Sequence, residues 1–203
     1  MRKTGEASED AMILAFLEME YASDRFCAQI ARALQNRGAG AALIERGDLS
    51  DRAENALRRE VLGDFRGYGR DEGLFERFPS GVRWEWASLS GDDLEKIRYV
   101  DYSYWNELSE HTRSPLRAAE AIRAGKTSCG VPNDGFFEAL AHLRRGGAFP
   151  PLIALTDARA ARYELLEGHK RVTAYALAPE LFREVRALMG FCGETALRRW
   201  RGD

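Results

Sequence analysis

The sequence predicts an α+β protein: a small mixed β-sheet with helices, preceded by a helical N-terminal extension. Three observations carry this. Apolar residues recur at helical spacing through the first eighty residues. A period of two begins at Val82, where Val82, Trp84 and Trp86 alternate with Arg83 and Glu85. Residues 152–177 then read as strand, turn, strand, tight glycine turn and helix. The chain divides accordingly into a helical extension, residues 1–80, and a mixed domain, residues 81–203.

Met12, Phe16 and Met19 share one face of a first helix, and Phe26, Ile30 and Leu34 one face of a second. The second follows a Ser23-Asp24 start signal and is closed by Gly38 and Gly40. Ser50 caps a third helix, with Ala53, Leu57 and Val61 aligned and Gly63 at its end. GDFRGYGRDEG, rich in glycine and charge, is a loop. After the Val82 strand, Ser90, Asp92 and Asp93 open a helix through DLEKIRYVDYSYWNEL. Ser114-Pro115 starts a helix that stops at Gly125, and Asn133-Asp134 starts another, FFEALAHLRR, closed by Gly146-Gly147. Pro150-Pro151 feeds the apolar run Leu152 to Leu155, a polar turn, and the run Tyr163 to Leu166. Glu167-Gly168-His169-Lys170-Arg171 follows, then a helix in which Val172, Tyr175 and Ala176 share a face. Val185, Ala187 and Met189 alternate in a last strand.

Composition narrows the class. The 203 residues suffice for one core, or for a domain with a helical extension. With 45% hydrophobic and 31% charged residues the chain is globular. A net charge of −2 gives no overall basic footprint, so general nucleic-acid binding finds no support, although a local basic patch stays open. Cys27, Cys129 and Cys192 are odd in number, widely spaced and without a CxxC pair, which argues against a disulfide framework or a zinc site and for a reducing cytoplasm. The apolar run near the N-terminus is short and soon meets Glu18, and nothing approaches the ~18 apolar residues of a membrane span.

Several motifs give way to plainer readings. Gly125-Lys126-Thr127 lacks the phosphate cradle's earlier glycine, because position 120 is Glu120. Gly125 there reads as a helix end. Gly67-Tyr68-Gly69 is a loop, Arg201-Gly202-Asp203 an accidental tripeptide, and His111 and His142 ordinary surface or core histidines. Tyr99, Tyr102, Tyr104 and Trp105 could stack on a base, but aromatics at helical spacing read first as core.

The turn Glu167–Arg171 is different. A helix N-terminus exposes free N–H groups and a partial positive charge, so it favours anions. Lys170 and Arg171 in that first turn cost helix stability. A sequence that keeps them there points to a bound anion, most often phosphate. Gly168 lets the backbone approach a ligand, Lys170 and the Arg171 fork neutralise phosphate, and Glu167 is a candidate base or metal ligand. The plain alternative is a solvated turn with surface charges.

At these residues the chain resembles the ParB/sulfiredoxin superfamily, over about Val82 to Phe191 and most strongly over residues 133–177. The shared pattern is a glycine-ended helix, a proline-led strand, a second strand and a Gly-x-x-Arg turn opening a helix. The resemblance implies that this turn binds nucleotide phosphates, with Gly168 and Arg171 matching in every branch. ParB proteins, which bind CTP, have Gly-Glu-Arg-Arg there. Sulfiredoxins have Gly-Cys-His-Arg, so His169 stands in place of their catalytic cysteine, and sulfinic-acid repair is not implied. The branch of the ADP-dependent free serine kinase has a similar acidic-Gly-His-His-Arg turn. It implies phosphoryl or nucleotidyl transfer with Glu167 and His169 as catalytic residues and Gly168, His169, Lys170 and Arg171 on the nucleotide. The expected cofactor is ATP, ADP or CTP with Mg²⁺, with no resident metal, and the expected partners are a nucleotide and a small-molecule or protein substrate. Asn133, Asp134, Thr112 and Arg113 are weaker candidates for the rest of the pocket. A non-catalytic, nucleotide-responsive binding module, a ParB-like nuclease-type protein, or one half of a toxin–antitoxin or defence pair remain as alternatives.

Overall fold

The computed structural model describes residues 1–202. It is an α+β protein with a six-stranded mixed open sheet and, among the described residues, ten α-helices. The chain forms two compact units, Ala7–Trp84 and Met1–Glu6 together with the residues from Glu85 onward. Strand β1 (Arg2–Ala7) precedes helices α1 (Glu9–Tyr21), α2 (Cys27–Asn36), α3 (Ala42–Glu45) and α4 (Arg52–Arg66). Then come β2 (Arg83–Leu89), α5 (Gly91–Leu94), β3 (Ile97–Arg98), α6 (Ser103–Leu108), α7 (Pro115–Arg123) and α8 (Asp134–Arg144). The chain closes with β4 (Leu152–Thr156), β5 (Tyr163–Glu167), α9 (His169–Leu177), β6 (Val185–Phe191) and α10 (Glu194–Arg201).

In the helical unit, α1 packs on α2, α3 and α4 through residues such as Met12, Phe16, Ile30, Leu34 and Val61, all fully or nearly fully buried. Met12, Phe16, Ile30 and Leu34 lie on the expected faces, but α4 buries Asn55, Arg58, Val61 and Leu62 and leaves Ala53 exposed, so its inward face is not the expected Ala53–Leu57–Val61 stripe. Helix α4 starts one residue later than expected: Asp51, not Ser50, accepts from the N–H groups of Ala53 and Glu54. It also runs through Gly63 to a left-handed Gly67. A Cβ on Gly63 would stand 3.0 Å from the Tyr68 carbonyl oxygen, so this glycine serves a close approach and not a helix end.

The sheet order is β1-β2-β6-β4-β5-β3, with β4 parallel to β6 and antiparallel to β5, and β3 parallel to β5. Helices α7 and α8 both pack on α9, and their shared core includes Tyr99, Ala118, Leu140, Leu165, Val172 and Met189. Leu152 to Thr156 are all buried, which is why that strand reads as one continuous apolar run.

Four departures from the sequence reading have physical causes. The long helix expected after Ser90 is broken. Ser90 and Asp93 do form a capping box, but α5 ends at Leu94, and Ile97–Arg98 pair with Tyr163–Glu164 before α6 begins. Ile97 and Tyr99 are buried while Arg98 is not, so strand pairing overrides the helical spacing. In β2 the alternation is real, but the buried members of its later part are Glu85, Ala87 and Leu89, while Trp86 lies under the Arg186 guanidinium at 4.9 Å. Strand β1 has no apolar pattern at all; it is an exposed edge strand, made by backbone pairing, with Lys3 bonded to Glu85 at 2.9 Å. Helix α10, outside every expected element, is amphipathic but short, with Leu197 buried.

Asp93 fastens β5 to α5. Burial opposes its charge, yet hydrogen bonds from the N-terminal amine, Ser90 and Tyr163 hold its carboxyl well below the usual carboxylate range.

Candidate functional site

Strand β5 ends at Glu167, and Gly168 turns the chain into α9 with φ +107°. A side chain there would be strained, and its Cβ would stand 2.5 Å from Leu152 Cδ2 and 3.0 Å from Arg171 Nη2. Gly168 is therefore required by conformation and by space. No side chain caps α9, and its first turn holds no acidic residue. Its leading N–H groups and both neighbouring cations belong to one small region.

Arg171 folds back over Gly168. Its Nη2 donates to the Pro151 carbonyl at 3.2 Å and lies 3.5 Å from Glu167 Oε1, so the guanidinium ties the entry of β4 to the exit of β5. The two side chains are mostly buried, 14% and 21% exposed. Lys170 is exposed and crosses to the start of α8, where its Nζ lies 2.8 Å from the position a Cβ on Gly135 would take. Among the described residues no carboxylate lies within ion-pair distance of Lys170. Helix α8 also begins without a side-chain cap, since Asn133 Nδ2 donates instead to the Lys126 carbonyl at 2.8 Å. Two uncapped helix N-termini and a lysine thus come together. This arrangement can bind an anion.

His169 faces the aromatic residues. Its ring stacks on Trp105 (centroids 5.1 Å apart, 24° between planes) and on Tyr99 (5.8 Å, 22°). The Val100 N–H donates to Nε2 at 3.3 Å, which puts the imidazole proton on Nδ1. Thr173 links the same residues, donating to the His169 carbonyl at 2.7 Å and sharing a 2.6 Å hydrogen bond with the Tyr99 hydroxyl. Burial raises the Tyr99 hydroxyl pKa from its ordinary value. Tyr99 is thus a core residue, Trp105 is half-buried against His169, Tyr104 meets Trp105 edge-on and Tyr102 is exposed. Sequence reasoning set this cluster apart from the glycine turn. Contacts between residues seventy positions apart carry no local signal.

The structure brings Glu167, Gly168, His169, Lys170 and Arg171 together with Gly135, next to Asn133 and Asp134. Thr112 and Arg113 are engaged elsewhere: Thr112 bonds the Ser109 carbonyl, and Arg113 the buried Glu164. Gly125 follows the end of α7 with φ +80°, as the plainer reading has it, whereas Gly67, read as a loop residue, closes α4. His111 is exposed, and His142 Nε2 lies 3.2 Å from the Ala148 carbonyl with its ring against Phe149. Asp203 of the terminal tripeptide lies outside the described residues. The three cysteines are free thiols, and burial pushes Cys192 up to about 11, which keeps it protonated at neutral pH. Glu164, by contrast, was hidden in a run read as apolar; a charged residue inside such a strand was the available signal.

Among the described residues no group of three or more His, Cys, Asp and Glu is placed to hold a metal ion, and no helix is long and apolar enough to cross a membrane. The fold and this turn define an α+β protein with an uncapped, cationic helix N-terminus at the exit of β5, the strand next to the sheet edge. No protein-family model, curated protein or solved structure matches the chain.

Proposed function

We propose that this protein is a cytoplasmic nucleotide-binding protein of the ParB/sulfiredoxin type, holding nucleotide phosphates at the turn Glu167–Arg171. The observation that carries the reading is the N-terminus of α9: a left-handed Gly168 without a side-chain cap, followed by an exposed Lys170 beside the equally uncapped start of α8. A phosphate there would accept backbone N–H bonds and meet the Lys170 charge, with Arg171, which donates to the Pro151 carbonyl, in the same turn. Mg²⁺ would arrive with the phosphates, since such sites supply one or two carboxylates and leave the rest to nucleotide and water, and Glu167 is the carboxylate at hand.

A thermal-shift panel of ATP, ADP, CTP and GTP with Mg²⁺ tests this; one nucleotide is expected to raise the melting temperature clearly above the others. Arg171→Ala abolishes that shift. Because Arg171 also ties β4 to β5, Lys170→Ala on the exposed side chain is the companion variant, expected to weaken the shift without lowering the ligand-free melting temperature. A shift untouched by both variants refutes the phosphate assignment.

Phosphoryl transfer, with Glu167 as base, is the second reading. Glu167 stands at the end of β5 beside the turn, which favours it. His169, stacked on two aromatics with Nε2 accepting a backbone N–H, is better placed to shape the turn than to exchange protons through Nε2. Glu167→Gln separates the readings: full nucleotide affinity with loss of turnover supports catalysis, whereas no turnover in the parent protein leaves a nucleotide-responsive binding module.

A further inference from the structure

The two edges of the sheet differ. At one, β3 offers only Ile97 and Arg98, too short a strand to take on another chain. At the other, β1 runs from Arg2 to Ala7, and Arg2 to Glu6 are all exposed. Its neighbour in the sheet is β2, so among the described residues no strand pairs with the backbone N–H and C=O groups along its outer side. Such a row of groups is a template for a further strand.

Edges are commonly guarded by proline or by charges that would repel an incoming copy. Strand β1, RKTGEA, has no proline, and its charges change sign along its length, from Arg2 and Lys3 to Glu6. Lys3 Nζ lies 2.9 Å from Glu85 Oε2 and 4.5 Å from the centre of the Phe191 ring, which fixes the face it takes. By the period of two, Gly5 shares that face, while Arg2, Thr4 and Glu6 share the other. Arg2 stands 3.4 Å from Glu184, but the two side chains are 70% and 84% exposed, so the pair holds Arg2 only weakly. Among the described residues no side chain pairs with the Glu6 carboxylate.

A second copy of the chain fits this pattern. A two-fold axis normal to the sheet makes two β1 strands antiparallel, with opposed residues on the same face. Three registers satisfy that symmetry. Centred on Lys3, the strands set Lys3 against Lys3. Centred on Gly5, they leave Arg2 beyond the end of the pairing and set Glu6 against Thr4. Centred on Thr4, they set Arg2 opposite Glu6 twice, with Thr4 against Thr4 between them, and pairs of both kinds are stabilising. We propose that β1 pairs edge to edge with β1 of a second copy of this chain, antiparallel and centred on Thr4, in a symmetric dimer. The interface is small, so the association is weak and reversible. It does not depend on the nucleotide reading.

Sedimentation equilibrium of the full chain over the micromolar to millimolar range tests this. The expected result is a monomer–dimer equilibrium that added salt weakens. Arg2→Glu brings carboxylates face to face and Glu6→Arg brings guanidinium groups face to face. Each should weaken the dimer roughly tenfold or more. Mixing the two single variants, or combining them as Arg2→Glu/Glu6→Arg in one chain, puts opposite charges across again and should recover the parent affinity. Because both positions are exposed, the melting temperature of each variant at low concentration should match the parent. A chain that stays monomeric over the whole range overturns the proposal. So does a dimer that neither single variant weakens, or one that the charge swap fails to restore, since another surface then makes it.

Discussion

Helices α4 and α9 begin in opposite ways. Asp51 caps α4 with two hydrogen bonds of 2.8 and 3.1 Å, Glu54 sits in the first turn, and the helix ends on Arg66 and a left-handed Gly67. Each choice agrees with the helix dipole and with the needs of the terminal N–H and C=O groups. Helix α9 starts on a left-handed glycine without a side-chain cap, and places Lys170 and Arg171 where an acidic residue would be stabilising. Helices α2, α3, α6, α7, α8 and α10 also begin without a side-chain cap, so what sets α9 apart is the pair of cations in its first turn, the feature on which the proposed anion site rests.

Mutations can break this comparison from either side, and the hardest break comes in α4. Arg58 is 1% exposed in mid-helix and donates to the carbonyls of Leu43 and Asp48 and to Asn55 Oδ1. Arg58→Ala strands these acceptors and should cost about 3 kcal/mol by urea unfolding. Gly168→Ala comes next: with φ +107° and a Cβ 2.5 Å from Leu152 Cδ2, it should cost about 2 kcal/mol and also remove the nucleotide shift. Asp51→Ala, which turns α4 into an uncapped helix like α9, should lower stability by about 1 kcal/mol with nucleotide binding unchanged. The smallest effect is the sharpest. Lys170→Gln relieves a cation at the positive end of α9 and should raise stability by about 0.3 kcal/mol while weakening the nucleotide shift. If it lowers stability instead, Lys170 has a structural partner and the proposed anion site at α9 fails.

The local elements near the turn were legible because several signals agree at each of them. Ser114-Pro115 opens α7, Asn133 precedes α8, and Gly168 separates β5 from α9, each at the expected residue. Reading failed where a tertiary partner overrides local preference. Residues 97–98 have helical neighbours yet pair with β5, and Arg2–Ala7 gain strand structure only from the sheet edge. The same applies to the site. Glu167, Gly168, Lys170 and Arg171 declare themselves by spacing, because a cation in the first turn of a helix is anomalous within one turn. Their companions, Pro151, Trp105 and Gly135, do not.

By itself the sequence determined the α+β class, the helical faces around Met12, Phe16 and Ile30, and the glycine turn with its misplaced cations. These depend on periods of two and 3.6 residues and on capping chemistry, all set by neighbours within a few positions. Only the tertiary structure decided that Lys170 reaches the start of α8, that His169 stacks on Trp105 and Tyr99, and that four arginines surround Glu164. Apart from Arg162, two residues from Glu164, those contacts join segments tens of residues apart. Their partners are chosen by sheet register and helix packing, which no local pattern encodes.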